Sequence, residues 1–395
     1  MIVKFKKFKW ILEGKIQSFL PLLAPLLIYF LNSTKYTRKI RFCPLISARI
    51  GHLAANTELF LRRLRANEFK KEAKYIGVAG KTCNNQLLKM YKREMPIVKS
   101  RLLRGIITTS LFQKSDFFQD VPYTSTEYHI FNDLPKAAGF TPDEEKRGLQ
   151  ELEKMGISTK DWFVCFHNRD SEYLNRQIPY INWGRHDYRN CEISNFIPAM
   201  EYIASIGGFA IRVGHYMQKR LKVKNNTRII DYASNFRSDF MDIYLSAHCK
   251  FFVGTTAGLM LVPTVFNKPV IQTNIPNIEF VPYRKGDLYI PKKIKDIKRG
   301  RFLTFKEIFD RGISSWYSTD KFTEENLEVI ENDPNEILDV VVEMNSILDG
   351  SYKYTEEDDS LQKKYHSLMQ LHHRSYGSPA RVGKDFLSKN RHLLE

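Results

Sequence analysis

The segment KFFVGTTAGLMLVPTVFNKPVIQTN, Lys250 to Asn274, decides how this chain is read. An apolar strand over residues 251–253 meets a small Gly254-Thr255-Thr256-Ala257-Gly258 turn, the turn opens a helix, and Lys268-Pro269 introduces a second strand. Such a passage leaves unpaired backbone N–H groups and the positive end of a helix dipole facing one crevice, which is a seat for phosphate. Thr255 and Thr256 add hydroxyls, and Gly254 and Gly258 let the backbone come close to a ligand. An ordinary strand–turn–helix with nothing bound has the same local pattern, so the surroundings decide.

Upstream, the alternation of strand and helix continues. TPDEEKRGLQELEKMGI begins at Thr141 with an N-cap, a proline at the first helical position and acids in the first turn, and the helix ends by Gly156. DWFVCF then reads as a strand buried on both faces, running into His167, Asn168, Arg169 and Asp170. A helix over 194–206, the strand GGFAIRVG carrying Arg212, the segment IIDYA with Asp231, and the helix RSDFMDIYLSAH with Asp239 and Asp242 complete the approach to Lys250. Alternation of this kind calls for a parallel sheet with ligands at the carboxyl ends of its strands.

The first half repeats the scheme. KIRFCPLISARIGHLAANTELFLRRLRA, from Lys39, gives a strand, a loop holding Arg49, Gly51 and His52, and a helix containing Glu58 with Leu59, Phe60 and Leu64 toward the core. A strand at residues 75–78, a helix over 84–93 and a short strand at Ile97 and Val98 follow. The fold class is therefore α/β, with two doubly wound domains. We expect a membrane-associating segment at 1–39, a first domain at 40–140, a second at 141–345, and C-terminal helices over 346–395 that cross back to the first domain.

Residues 1–39 interleave Lys4, Lys6, Lys7 and Lys9 with Phe5, Phe8 and Trp10, then run FLPLLAPLLIYFL, closed by Lys35 and Arg38. The apolar run contains Pro21 and Pro25 and is shorter than the roughly 20 residues a spanning helix needs. It suits a segment lying in the interface, with lysines against anionic headgroups. The net charge of +17 asks for an anionic partner, and with no zinc-finger spacing, aromatic RNA-binding signature or basic zipper the membrane and a phosphorylated substrate rank above nucleic acid. Five scattered cysteines fit a reducing compartment and no metal or redox motif. Adjacent His372 and His373 would point to different sides of a helix, which argues against a metal site. Lys292, Lys293, Lys295 and Lys298 read as a solvated or membrane-facing edge.

The combination of Arg49-Ile-Gly51-His52, Phe166-His167-Asn-Arg169-Asp170, Arg237-Ser238-Asp239 with Asp242, and Phe251-Phe-Val-Gly254-Thr-Thr-Ala-Gly258 with Lys268-Pro269 and Asn274 resembles a bacterial family of GT-B glycosyltransferases. That family occurs in surface-polysaccharide loci and is distantly similar to the heptosyltransferases. The resemblance runs from about residue 40 to the C-terminus and is strongest in the second half. The His-x-Arg-Asp cluster is also similar to one in GDP-fucose-using enzymes, although the second arginine often seen there is missing. The resemblance implies a GT-B fold whose two Rossmann-like domains face an interdomain cleft, with a nucleotide-sugar donor on the second domain and a lipid-linked or polysaccharide acceptor on the first. It implies no cofactor and no obligatory metal. Arg169, Thr255 and Thr256 would then hold the donor phosphates, His167 and Asp170 would orient that arginine or meet the sugar, and Arg212 would be a second cation within reach. Asp231, Asp239 and Asp242 are weaker candidates, since such aspartates are often caps. For an inverting transfer His52 is the first choice of base and Glu58 the second. The expected place of work is the cytoplasmic face of a bacterial inner membrane. A nucleotide-sugar epimerase on the same fold and a non-catalytic polysaccharide-assembly protein remain open alternatives.

Overall fold

Strand β1, Ile40–Leu45, pairs in parallel with β2, Lys74–Ala79, and β2 with β3, Ile97–Lys99. A computed structural model of the chain describes residues 19–123, 126–177, 179–223 and 226–395, so the lysine- and aromatic-rich stretch before residue 19 lies outside the described residues. The chain divides into two units, Met1–Thr124 with Asp133–Phe140, and Ser125–Asn132 with Thr141–Glu395.

In the first unit each strand is followed by a helix, as the periodicity predicts. Asn84 caps Asn85–Glu94 by accepting from the Leu87 N–H at 2.9 Å, which is what an Asn side chain does for an otherwise unpaired N–H group. The helix after β1 is irregular: it opens with a π-helical turn over His52–Asn56 before becoming α-helical at Thr57–Arg65. Residues 19–32 are helical straight through Pro21 and Pro25. Leu20, Ala24 and Leu31 of this helix are buried with Ile106, Ile107, Phe112 and Phe117. The backbones approach closely here, since a Cβ on Gly105 would lie 2.2 Å from a Leu20 methyl carbon. Among the described residues no helix is long and apolar enough to cross a membrane.

The second unit is built on a seven-stranded parallel sheet. Its strands are β4, Phe163–Phe166; β5, Phe209–Arg212; β6, Ile229–Ile230; β7, Phe252–Gly254; β8, Val270–Ile275; β9, Leu288–Pro291; and β13, Arg381–Val382. Their order is β13-β9-β8-β7-β4-β5-β6, so the chain starts in the middle, builds outward through β5 and β6, then reverses through β7, β8 and β9. This is the 3-2-1-4-5-6 order of a Rossmann sheet with one strand added. β4, β5, β7, β8 and β9 are buried along their whole length, which explains their unbroken apolar sequences. A small antiparallel sheet of β10, Lys293–Asp296, β11, Arg301–Phe302, and β12, Leu327–Ile330, follows β9.

Thr141 begins Pro142–Lys154 with a full capping box to Glu144, and Asp333 begins Pro334–Leu348 with another to Glu336. The C-terminal segment does not consist of helices alone. Helix Glu356–Ser367 leads to β13, which adds in parallel beside β9, and then to helix Lys384–Lys389, all within the second unit.

Candidate functional site

The reversal of strand order falls between β4 and β7, and the residues leaving their carboxyl ends are His167-Asn168-Arg169-Asp170 and Thr255-Thr256. In sheets of this kind a ligand crevice forms where the strand order reverses. The register shows which side chains share a row. Phe166 is level with Arg212 on β5 and with Val253 on β7, and Gly254 is level with Gln272 on β8. His167 continues the ladder by donating its N–H to the Val253 carbonyl at 2.8 Å. His167, Thr255 and Gln272 therefore come together at one edge.

Among the described residues, several buried polar atoms at this edge have no hydrogen-bond partner: His167 Nδ1, Thr255 Oγ1, Gln272 Oε1 and Arg212 Nε. Buried polar atoms are rarely left in this state. Burial, reinforced by Arg212 and Arg169, pushes the His167 imidazole down to about 3, so it is neutral and cannot add to the positive charge. The other Gln272 terminus donates to the Thr256 hydroxyl at 3.1 Å and fixes it at the mouth of the loop.

Arg169 is only 9% exposed, and its guanidinium donates to neutral oxygens, the His186 carbonyl at 3.2 Å and the Asn190 side-chain oxygen. Lys292, at the carboxyl end of β9, is 4% exposed and donates to the backbone carbonyl of the same Asn190 at 2.6 Å. Among the described residues neither cation makes an ion pair. Burial lowers both: Arg169 falls to about 10, with Arg189 adding to the effect, and Lys292 is lowered with Arg169 contributing. Asn190 bridges the two buried cations and in turn donates its amide to Asp187 at 2.8 Å; Asp187 and Asp170 act on Arg169 and Glu331 on Lys292 from beyond ion-pair distance, so among the described residues neither cation has a carboxylate in direct contact.

Lys292 is a correction. The expectation of a solvated edge from Lys292 to Lys298 fails at its first two members. Lys293 is also turned inward and pairs with Glu336 at 2.7 Å. The Lys292 N–H extends the parallel ladder by donating to the Ile275 carbonyl at 2.8 Å, so this lysine belongs to the carboxyl end of a buried strand. That position was the available signal.

Other expected residues take different parts. The helix after the Gly-Thr-Thr-Ala-Gly turn opens as a 3-10 turn, Gly258–Met260, and its α-helical portion is only Leu261–Val265, so a strong dipole is absent. Gly254 has Phe252 packed where a Cβ would stand, 2.9 Å away, and Gly258 is exposed. Asp170 does not bond Arg169: its two oxygens accept the N–H groups of Glu172 at 3.0 Å and Gln218 at 2.9 Å, tying together the loops after β4 and β5. Arg212 is 0% exposed and donates to the Lys219 carbonyl and to Asn168, with Asp231 3.7 Å away. It is sealed beneath the edge and positions Asn168. Asp239 pairs with Arg237 at 2.7 Å, and Asp242 accepts from Arg237 and from the Tyr232 hydroxyl. Ser238 caps their helix.

In the first unit His52 stands in the π-helical turn beyond β1, half-buried, its ring edge-on to Tyr123 with centroids 5.5 Å apart. Burial and the nearby Arg49 lower its pKa, so it is neutral and able to accept a proton at neutral pH. Glu58 is a different case. It is 0% exposed, pairs with Arg62 at 2.8 Å, and accepts the N–H groups of Ala137 at 2.6 Å and Ala138 at 3.2 Å. Its carboxylate fastens residues 133–140 onto the helix, so as a base it would have to break that structure.

The second unit is thus a doubly wound α/β domain with buried cations and unpartnered polar atoms at the carboxyl ends of the strands where the order reverses. No protein-family model matches the chain, and no curated protein matches it. Among solved structures it is similar to ADP-heptose LPS heptosyltransferase II of E. coli, with 11% identity over 64% of this chain and 90% of that one and a TM-score of 0.43. It is similar to a glycosyl transferase family 9 protein from Veillonella parvula, with 10% identity over 80% and 98% of the two chains and a TM-score of 0.47. It is also similar to E. coli heptosyltransferase WaaC with ADP, with 11% identity over 64% and 91% and a TM-score of 0.38.

Proposed function

We propose that the chain is a glycosyltransferase of the GT-B kind, taking a sugar from a nucleotide-sugar donor bound by the second unit. The acceptor is a lipid-linked or surface glycan, in lipopolysaccharide, O-antigen or capsule synthesis at the cytoplasmic face of a bacterial membrane. The observation that carries this reading is the pair Arg169 and Lys292, two buried cations that meet at Asn190 with no direct ion pair among the described residues, together with the unpartnered Thr255 Oγ1 and His167 Nδ1 at the carboxyl ends of the strands. A diphosphate supplies a direct anionic partner to the cations and an acceptor to the Thr255 hydroxyl. In the transfer, negative charge grows on the diphosphate as the bond to the sugar breaks, and fixed cations in a water-poor site stabilise that charge most. His52 takes the proton of the acceptor hydroxyl if the transfer inverts configuration. The membrane part is supported by the exposed apolar face of helix 19–32, and the reducing compartment by the five scattered cysteines.

The test is thermal unfolding of the purified protein with UDP, GDP, ADP and CMP and their sugar conjugates. A ligand of the native state raises stability by RT ln(1 + [L]/Kd), so the responding base names the donor class. One nucleotide family should raise the midpoint, and Arg169→Ala with Lys292→Ala should remove the rise. No response to any nucleotide, or a full response in the double variant, defeats the reading.

A further inference from the structure

The first unit carries a second electropositive site, at the opposite edge of its sheet from His52. A cavity of about 310 Å³ is lined by Arg38, Lys39, Arg41, Lys70, Lys71 and Glu72. It lies at the amino ends of β1 and β2, where Ile40 pairs with Lys74. Five cations face one carboxylate, and among the described residues that carboxylate is paired with Lys39 alone, by an exposed contact of 3.7 Å. The cavity is joined to the end of helix 19–32, because Arg38 Nε donates to the Asn32 carbonyl at 2.9 Å. That helix contains no charged residue. While Leu20, Ala24 and Leu31 are buried, Phe19, Leu22, Leu26, Tyr29 and Phe30 are each more than 60% exposed, and Tyr36 stands exposed between helix and cavity. An apolar face of this size on a charge-free helix, ending in aromatic residues beside a cluster of cations, has the make-up of a surface that lies in the boundary of a bilayer.

We propose that this cavity binds the phosphate-bearing headgroup of an anionic membrane lipid while the exposed face of helix 19–32 rests in the acyl boundary. The inference rests on the membrane-associated reading given above and is independent of the donor site. Headgroup capture fixes how the first unit is turned on the membrane, which an apolar face alone does not.

The experiment is flotation of the full chain with vesicles of phosphatidylcholine alone and of phosphatidylcholine mixed with phosphatidic acid. Two variants accompany it, Lys70→Gln/Lys71→Gln in the cavity and Leu22→Ser/Leu26→Ser on the helix. The wild type should prefer the anionic vesicles. Each cation near such a surface is worth about 1 kcal/mol, so the lysine variant should lose roughly tenfold or more of that preference, while the leucine variant weakens binding to both vesicle types. Anionic binding unchanged in the lysine variant overturns the cavity and leaves the helix anchor standing. Failure of the wild type to float with either vesicle overturns both. If glycerol 1-phosphate or inorganic phosphate stabilises the wild type but not the lysine variant, and the two float alike, the site takes a free anion and the lipid assignment is wrong. The nucleotide response of both variants should equal that of the wild type, so the outcome is separable from that of the donor site.

Discussion

Arg169 and Lys292 both reach Asn190, one bonding its side chain and the other its backbone carbonyl. A hydrogen bond to a charged group is usually worth about 1.5 to 3 kcal/mol, so Arg169→Ala and Lys292→Ala should each weaken nucleotide binding by about that amount. Calorimetric titration checks this, and because the two share a bridging residue their effects should not add. Equal affinity in either folded single variant removes that residue from the site. His52→Ala should behave differently, costing about 10²–10⁴ in turnover with nucleotide affinity unchanged. Since its pKa is lowered from 6.5, the acidic limb of the pH–rate profile should lie below that value in the wild type and vanish in the variant. A variant keeping more than about a tenth of wild-type turnover makes His52 structural. Arg169 and His52 were legible because each follows an apolar strand and so sits at a carboxyl end. Lys292 follows one too, yet it is the first of a lysine-rich run that reads as a surface. Arg62, four residues on, is a local sign that Glu58 is paired, whereas its ties to Ala137 and Ala138 are distant in sequence and unreadable there.

At the scale of elements, the parallel strands were readable because burial on both faces demands continuous apolar sequence, and the helix starts because caps are local chemistry. β13 was not readable: two residues, Arg381 and Val382, carry no period and pair only because β9 offers an open edge. The small sheet β10–β12 was hidden for the same reason, with pairing across a gap from Asp296 to Leu327. The helix that the Gly-Thr-Thr-Ala-Gly turn opens is α-helical only over the five residues Leu261–Val265, with Asn267 at a positive φ of 60° soon after its end. Element packing gives its own prediction at Gly148, in helix Pro142–Lys154. A Cβ there would lie 2.0 Å from the Tyr244 ring, which is 1% exposed and stacked between Phe240 and His248. A ring held on both sides cannot step aside cheaply, so Gly148→Ala should destabilise by about 1 to 3 kcal/mol, read as a lower denaturation midpoint. Gly148→Ala with Tyr244→Leu should recover part of it. A midpoint unchanged in Gly148→Ala would mean that the helix moves freely against Asp239–His248.

For the molecule as a whole, the buried titratable groups of the second unit set two opposing slopes of stability against pH. Burial raises Asp287 to about 7, Glu343 to about 7 and Asp242 to about 6. Their protonated forms favour the fold, so this stability is full below the ordinary carboxylate range and is lost as pH rises through about 6 to 7. Burial lowers His167 to about 3 and His215 to about 4, so their contribution is full above the ordinary imidazole value and is lost as pH falls through about 4 to 3. Between about 4 and 7 the two sets partly cancel, and the wild-type curve should be flatter than either set alone would give. Glu343 is the one to remove. It accepts from the Tyr354 hydroxyl at 2.9 Å and from the Lys384 N–H at 2.8 Å, both of which a glutamine can replace only in part, since it has one acceptor oxygen. Glu343→Gln should therefore be somewhat less stable than the wild type at pH 5, where both side chains are neutral. It should gain on the wild type by an amount on the order of 2 kcal/mol as pH rises to 8. Urea denaturation at the two pH values measures the change, and a difference between variant and wild type that is the same at both would show that Glu343 is already ionised at pH 5.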